Sequence, residues 1–322
     1  MSPEAQAIIE ARGLKRSFKV RGNSIDAVRG VDITVKAGEI VGFLGPNGAG
    51  KTTTLKMLTT LLAPTDGSAI VAGSDLRRDP VGVRRNIGYV SQAGSTASEA
   101  KAGEEIVSHA RFYGIDAQTA TERAKALLAA LDLADVWDRK CGSLSGGQRR
   151  RLDIVMGLIH QPRIVFLDEP TTGLDPQSRA NLWSHIRKLR DELGTTVFIT
   201  THYMDEADSL SDRLLVIDKG EIVAEGTPAE LKKKVSGDTI TLTLREEKDA
   251  VEAAGVAGLL AGADEPAVEG HMVRLHVPDG AAALPVLLTE LARAGIEAIG
   301  VEVNRPTLDD VFLTLTGRSL RD

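Results

Sequence analysis

The sequence predicts an α/β fold followed by a smaller α+β domain. Three short apolar runs, residues 40–44, 164–168 and 196–200, have the length and composition of buried strands. Each of the first two is followed by polar or glycine-rich residues and then by apolar residues at helical spacing. After Gly237 the pattern restarts with shorter alternating and helical segments, which indicates a second domain.

Composition limits the function classes. A chain of 322 residues with 42% hydrophobic and 26% charged residues is long enough for two domains with hydrophobic cores. The formal net charge of -6 argues against nucleic-acid binding, which depends on neutralising phosphates. Two basic clusters, Arg149–Arg151 and Lys232–Lys234, lie in predicted helices, and we favour solvated or structural roles for both.

Targeting signals and cysteine usage predict a cytosolic chain. No apolar run approaches the ~20 residues that cross a bilayer, and Met1 to Gln6 lack the pattern of a signal peptide. The single Cys141 excludes an internal disulfide and is typical of a reducing compartment. A metal site at this cysteine is not favoured, because no other Cys and no His cluster lies near it in the sequence.

The segment Gly45–Thr53, GPNGAGKTT, has the pattern of a phosphate-binding loop, GxxxxGK[ST]. Its glycines allow the backbone to form a nest of N–H donors, and the helix that begins at Lys51 directs its positive end at the same place. Lys51 would reach the β and γ phosphates, and the hydroxyl of Thr52 would bind Mg²⁺. A ligand-free glycine turn is the alternative, but a buried strand before the loop and a helix after it favour phosphate binding.

Two carboxylates and a histidine follow later strands. Asp168 and Glu169 end an apolar strand, and because neighbouring strand residues point to opposite sides, they cannot share one role. In a phosphoryl-transfer site one carboxylate would organise Mg²⁺ and the other would orient or deprotonate water. Gln92 and His202 also follow predicted strands directly, and the position of His202 at the carboxyl edge of a parallel strand makes it a candidate.

A second anion site is predicted where a helical insertion, residues 93–142, gives way to the sequence SLSGGQ. Ser145 is placed as the N-cap of the next helix, and Gly146 and Gly147 are predicted to leave its first N–H groups bare. Phe18 is predicted in the loop after the first strand, where its ring could stack on adenine. An isolated Phe is more often packed in a core, so the residue alone favours packing.

These motifs, in this order, resemble the nucleotide-binding subunit of ATP-binding cassette (ABC) transporters over residues 7–230. Gly45–Thr53 is similar to the family's Walker A loop, Gln92 to its glutamine loop and Leu144–Gln148 to its LSGGQ signature. Ile164–Glu169 resembles the Walker B strand with the catalytic glutamate, Thr172–Asp175 the D-loop, and His202 the switch histidine.

The resemblance implies a P-loop ATPase fold with an antiparallel β subdomain and a helical subdomain at about 93–160. It implies catalytic roles for Glu169, His202, Lys51 and Gln92, and Mg²⁺ organised by Thr52, Gln92 and Asp168. It implies that ATP is bound by Phe18, Gly45, Pro46, Asn47, Gly48, Ala49, Gly50, Lys51, Thr52, Thr53, Ser145, Gly146, Gly147, Gln148 and Asp175.

The C-terminal segment, residues 237–322, has strand and helix patterns in a doubled βαβ order, which predicts a ferredoxin-like domain. Its closing residues, Arg305–Phe312 and Leu315–Gly317, resemble the extension of the drug-resistance subfamily, which includes daunorubicin and doxorubicin exporters. The resemblance implies a homodimer with ATP between the chains, a separately encoded membrane permease, a location at the cytoplasmic face of the membrane, and efflux of a drug or natural product.

Two other functions stay open from sequence. One is a soluble ABC ATPase of a DNA-repair or ribosome-associated machine, although no sustained heptad run or second cassette is present in the sequence. The other is a ligand-sensing role for the last eighty or so residues, since small ferredoxin-like domains often bind metabolites.

Overall fold

The computed structural model of the protein describes residues 7–20, 23–233, 237–260 and 262–316. Its contacts divide the chain into two compact units, one ending at Pro228 and the other beginning at Ala229. Among the described residues, no helix combines the length and the apolar character that crossing a membrane requires.

The first unit contains two sheets and seven helices among its described residues. Its strands are β1 (Ala7–Val20), β2 (Asn23–Lys36), β3 (Ile40–Leu44), β4 (Asp66–Val71), β5 (Ser74–Asp75), β6 (Ile87–Val90), β7 (Ile164–Asp168), β8 (Thr196–Thr201), β9 (Arg213–Asp218) and β10 (Glu221–Gly226). Its helices are α1 (Lys51–Leu58), α2 (Pro80–Asn86), α3 (Ala102–Phe112), α4 (Ala117–Ala130), α5 (Gly146–Leu158), α6 (Pro176–Leu193) and α7 (Met204–Leu210).

The central sheet has six strands in the order β10-β9-β3-β8-β7-β6, parallel except for the antiparallel edge strand β10. Every residue of β3, β7 and β8 is buried, as expected for parallel strands covered on both faces. The rings of Phe43 and Phe166 each lie 5.6 Å from the ring of Phe198 and join these three strands in one core. The three predicted buried strands are therefore neighbours, and their carboxyl ends meet at one edge.

The second sheet is antiparallel, in the order β2-β1-β4-β5. Its first two strands are 14 residues long each, longer than the short strands that the sequence predicts. Register shifts along the β1–β2 pair let the long ribbon bend, so that turn-like residues such as Gly13 are accommodated inside a strand. The pair Gly22-Asn23 is a turn signal in the sequence between these two strands, but Gly22 lies outside the described residues.

The helical insertion is confirmed as α3 and α4, which pack with α5 around a cluster that includes Ile106, Ala124 and Leu128. The buried residues of α3 and α4 thus lie along one face of each helix. Short 3-10 helices at Ala134–Val136 and Cys141–Ser143 lead from α4 to α5.

The second unit folds around its own core. After the linking helix α8 (Pro228–Lys233) come β11 (Asp238–Leu244), α9 (Ala250–Ala257), β12 (Ala267–Glu269), β13 (Met272–Val277), α10 (Gly280–Arg293), β14 (Ala298–Asn304) and α11 (Leu308–Thr316), with a 3-10 helix at Glu247–Asp249. The strand order β12-β13-β11-β14 is the antiparallel βαββαβ arrangement of the ferredoxin-like fold. The sequence did not reveal β12, because its three residues are exposed and carry no periodic apolar signal. Gly317 of the predicted closing motif lies outside the described residues.

Candidate nucleotide site

The phosphate loop, Gly45–Thr53, joins β3 to α1 at the carboxyl edge of the central sheet. The N–H of Gly45 donates to the carbonyl of Thr201 on the neighbouring strand, at 3.3 Å. A Cβ on Gly45 would lie 2.2 Å from the carbonyl oxygen of Ile217, and Gly50 has a φ of 107° with the Ala27 carbonyl 2.6 Å from its ideal Cβ. Both positions therefore require glycine, for close backbone approach and for a left-handed conformation.

Helix α1 begins at the loop with Gly50 as its N-cap, and none of the described side chains caps its first turn. Its N-terminal N–H groups and dipole thus face the loop. The Lys51 ammonium lies in the same place, 2.8 Å from the Gly45 carbonyl, 3.1 Å from that of Pro46 and 3.3 Å from Oε1 of Glu169. Burial lowers the pKa of Lys51, and the Glu169 carboxylate opposes that shift.

The carboxylate of Glu169 is the meeting point of the predicted catalytic side chains. Gln92 Nε2 donates to its Oε2 at 3.2 Å, and His202 Nδ1 lies 3.2 Å from the same oxygen. Thr172 Oγ1 adds a third contact to Oε2, at 3.3 Å. Glu169 itself has a φ of 44°, the left-handed region that a residue with a side chain adopts at an energetic cost.

Asp168 contacts a different set of side chains from Glu169. Its Oδ1 accepts from Thr52 Oγ1 at 3.2 Å and from Thr200 Oγ1 at 2.7 Å. The N–H of Glu169 also donates to Thr200 Oγ1, at 3.0 Å, so this buried threonine holds both acidic residues. Sequence reasoning missed Thr200; its signal was its place at the end of a buried strand, two residues before His202.

An open cavity of about 230 Å³ lies beside the phosphate loop, and Lys51, Gln92 and Glu169 are among its walls. Its walls are Ala27, Asn47, Gly48, Gly50, Lys51, Thr52, Thr53, Gln92 and Glu169. A larger cavity of about 750 Å³ lies in the second unit and contains none of these residues, so chemistry rather than size identifies the nucleotide site.

The other predicted site residues of the described chain do not line this cavity: Phe18, Gly45, Pro46, Ala49, Ser145–Gln148, Asp168, Asp175 and His202. Phe18 lies within β1 rather than in a loop, because the β1–β2 ribbon continues past it, and the Arg16 guanidinium is 4.7 Å from its ring centre. Asp175 caps α6: its carboxylate accepts from the Ser178 hydroxyl at 2.6 Å and from the Ser178 N–H at 2.8 Å, and these two bonds lower the pKa of Asp175.

The signature segment, Ser145–Gln148, opens α5 with a reciprocal capping box. Ser145 Oγ accepts from the N–H of Gln148 at 3.2 Å, and the Gln148 side chain accepts from the N–H of Ser145 at 3.1 Å. The predicted N-cap is correct, but the helix start is less bare than predicted, since one of its N–H groups already has a partner. Gly146, which is exposed, and Gly147, which is buried, complete this turn without side chains.

A phosphate loop between a parallel strand and a helix, with acidic residues at the end of a neighbouring strand, defines the chain as a P-loop nucleotide-binding protein. Comparison with known proteins supports this class. The model of the ABC transporter family matches residues 28–172, and that of the ATP-binding protein DrrA1-3-like C-terminal domain matches residues 226–316.

Similar proteins match almost the whole chain. The daunorubicin resistance ATP-binding protein DrrA3 of Streptomyces coeruleorubidus is 42% identical, with 92% of each chain covered. The daunorubicin/doxorubicin resistance ATP-binding protein DrrA of Streptomyces peucetius is 39% identical over 100% of this chain and 96% of its own. A solved ATP-binding cassette, a dimer in a post-hydrolysis state with ADP and phosphate, superposes with a TM-score of 0.62 at 27% identity, covering 68% of this chain and 98% of the cassette.

The chain belongs to the ABC transporter family, in the group of DrrA-like ATP-binding proteins. The predicted fold class is thereby confirmed, and membership makes the chain an ATPase. The alternative of a non-transport ABC machine is not favoured, because relatives that match over most of the chain are resistance or export ATP-binding proteins.

Proposed function

We propose that the chain hydrolyses ATP to power efflux of a drug or natural product through a separate membrane permease. The observation that carries the proposal is the convergence of Lys51, Gln92 and His202 on the Glu169 carboxylate, each within 3.3 Å. Such a cluster can activate water beside a bound γ-phosphate. The resistance proteins that match over both units support export as the purpose.

In this proposal Glu169 orients the attacking water and accepts its proton. Lys51 and His202 neutralise charge on the γ-phosphate, and Gln92 positions water through its amide. The loop from Gly45 to Thr53 binds the phosphates through its backbone N–H groups, with Phe18 against the adenine. The Arg16 guanidinium lies over the Phe18 ring, 4.7 Å from its centre, so the base would stack on the opposite face.

Mg²⁺ would be held by Thr52, Asp168 and Gln92 together with the phosphates of ATP. The residues fit this ion: Thr52 and Asp168 offer oxygen ligands 3.2 Å apart, and the buried Asp168 carboxylate accepts from two hydroxyls, those of Thr52 and Thr200. No cluster of three Asp, Glu, His or Cys side chains suited to a metal exists in the described residues. When bound, the ion neutralises charge on the β and γ phosphates.

We infer a homodimer because Ser145–Gln148 are not among the described residues that line the cavity at the phosphate loop. The phosphate loop of one chain would bind ATP against Ser145, Gly146, Gly147 and Gln148 of a second chain, with Asp175 connecting the sites. We place this homodimer on a permease at the cytoplasmic face of the membrane, without nucleic acid. The predicted domains, residues 7–230 and 237–322, would divide the work: the first hydrolyses ATP, and the second assembles the dimer or the complex.

The test is co-expression of the chain with its candidate permease, followed by purification and ATPase assay. We expect Mg²⁺-dependent hydrolysis that a transported drug stimulates, and loss of hydrolysis in Lys51→Ala, since that variant lacks the cation at the phosphate loop. Failure of the permease to co-purify, with ATPase activity intact, would contradict the transport part of the proposal. Absence of hydrolysis from a folded complex would contradict its enzymatic part.

A further inference from the structure

Arg150 is a buried cation whose bonds all go to the backbone of the catalytic segments. It lies on α5 and is 7% exposed. Its Nε donates to the Pro170 carbonyl at 2.9 Å, its Nη2 to the Asp168 carbonyl at 2.9 Å, and its Nη1 to the Ser91 carbonyl at 2.5 Å. One planar guanidinium thus ties the residues before and after Glu169 to the residue before Gln92.

This arrangement explains how Glu169 keeps a costly conformation. A non-glycine residue with a φ of 44° persists only where its surroundings over-determine it. The peptide carbonyls on both sides of Glu169 are fixed by the same fork, while its N–H is held by Thr200. An apolar side chain at position 150 could fill the space, but only a rigid multi-donor group can fix three carbonyls at once.

The next turn of α5 is also hydrogen-bonded to the residues that follow Gln92. Asp153, 4% exposed, accepts from the N–H of Ser95 at 3.1 Å and from its hydroxyl at 3.3 Å. Gln92 is therefore bracketed by two side chains of one helix: Arg150 holds Ser91 and Asp153 holds Ser95. The same helix begins with the signature segment, Ser145–Gln148, so one rigid element contains the contact for a partner chain's nucleotide and the supports of this chain's own site.

We propose that Arg150 is a positioning residue that couples the signature segment of a chain to the Glu169 of that same chain. The proposal rests on the composite ATP site described above. A displacement of α5, caused when its N-terminus engages ATP on the partner, moves the Arg150 fork and with it the carboxylate that orients water. The position of Glu169 in each chain thereby depends on whether ATP is bound at the phosphate loop of the partner chain.

The first test compares substitutions along α5 in the full-length chain. Arg150→Gln should lower kcat about 10- to 100-fold, as expected for a small misplacement of a catalytic group, while the Kd for ATP changes by less than about twofold. Arg150→Lys keeps the charge but cannot reach three carbonyls, so its kcat should lie in between. Arg151→Gln is the matched control, because Arg151 donates to Asn181 on α6 and not to a catalytic segment.

An equal loss in Arg151→Gln, or a loss of ATP affinity in Arg150→Gln that accounts for the slower rate, would overturn the inference in favour of general helix damage. An unchanged kcat in a folded Arg150→Gln would overturn it directly. A wild-type chain without any hydrolysis would count against the proposed function instead.

The second test asks on which chain Arg150 acts. In one mixture the Arg150→Gln chain is paired with an excess of Glu169→Gln chain. The only site that can hydrolyse ATP in the mixed dimer then uses Glu169 of the Arg150→Gln chain, so the substitution and the active Glu169 are on the same chain. In the other mixture, wild-type chain is paired with an excess of chain that has both Arg150→Gln and Glu169→Gln. The active Glu169 is then on the wild-type chain, and the Arg150→Gln substitution is on the partner that contributes Ser145 to the same site. The reference is wild-type chain with an excess of Glu169→Gln.

We expect the first mixture to be slowed by the full 10- to 100-fold and the second to stay within about twofold of the reference. Equal slowing in both mixtures would assign Arg150 a general structural role. Slowing in the second mixture alone would assign it to the partner's nucleotide, and either outcome would overturn the inference.

Discussion

Replacing Glu169 by Gln removes one negative charge and keeps the shape of the side chain. Loss of a general base lowers rates by about 10² to 10⁴-fold, which corresponds to roughly 3 to 5 kcal/mol on the barrier. Removing one partner of a buried ion pair costs a similar amount of folding free energy in the extreme case. Here Lys51 keeps its bonds to the carbonyls of Gly45 and Pro46, so we expect a stability loss of only about 1 to 2 kcal/mol.

ATP binding should survive this substitution, because the phosphate loop and Lys51 are unchanged. Removing the carboxylate also relieves its repulsion against the γ-phosphate, so the variant should accumulate as an ATP-bound dimer on a sizing column. Lys51→Ala is the control and should stay monomeric, since it loses phosphate neutralisation. If Glu169→Gln hydrolysed ATP at the parent rate, or showed no gain in ATP-dependent dimer, the role of Glu169 and the dimer mechanism would both be refuted.

Three further predictions concern the loop, a buried acid and the second unit. Gly50→Ala should abolish nucleotide binding in a fluorescent-ATP titration, because its Cβ would meet the Ala27 carbonyl; Gly48→Ala, with a φ of 80° but open space, should bind more strongly than Gly50→Ala. Burial raises the pKa of Glu206 above its ordinary value of 4.5. The wild type should therefore lose stability relative to Glu206→Gln as the pH rises above 4.5, by at most about 1.4 kcal/mol per pH unit. Denaturant unfolding between pH 5 and 8 measures this slope, and the opposite slope would contradict the prediction. Truncation after Ser236 should leave ATP binding measurable and weaken dimerisation or complex formation, and complete loss of binding in a folded truncation would contradict it.

The sequence was most informative where a residue type is dictated by chemistry. The phosphate loop, the two acidic residues at the end of β7 and the cap at Ser145 could be placed from spacing alone, because few residues satisfy their backbone and ligand requirements. The side chain of Phe18 was misplaced into a loop, since nothing local limits how far an antiparallel ribbon continues. Strand length there depends on cross-strand pairing, which sequence periodicity does not report.

Residues whose roles depend on distant partners escaped sequence reasoning. Thr200 and Arg150 touch Asp168 or its backbone only because β7, β8 and α5 come together in the fold. In the sequence, Arg150 is one of three consecutive arginines. That pattern favours a solvated or structural role and does not identify a partner. Its burial and its three carbonyl contacts distinguish it from Arg149 and Arg151.

The connectivity of the central sheet has a consequence for how the chain is made. Strand β3, which delivers the phosphate loop, pairs with β8 and β9 and with neither of the strands beside it in sequence. Ile40 pairs with Val197, so the hydrogen bonds between β3 and β8 cannot form until about 160 more residues have been synthesised. During synthesis at about 5 to 20 residues per second, an apolar strand and its glycine loop stay without their partners for roughly ten to thirty seconds. Such long-range parallel pairing folds slowly and exposes aggregation-prone surface, so the nascent chain is expected to depend on chaperones until β9 has emerged.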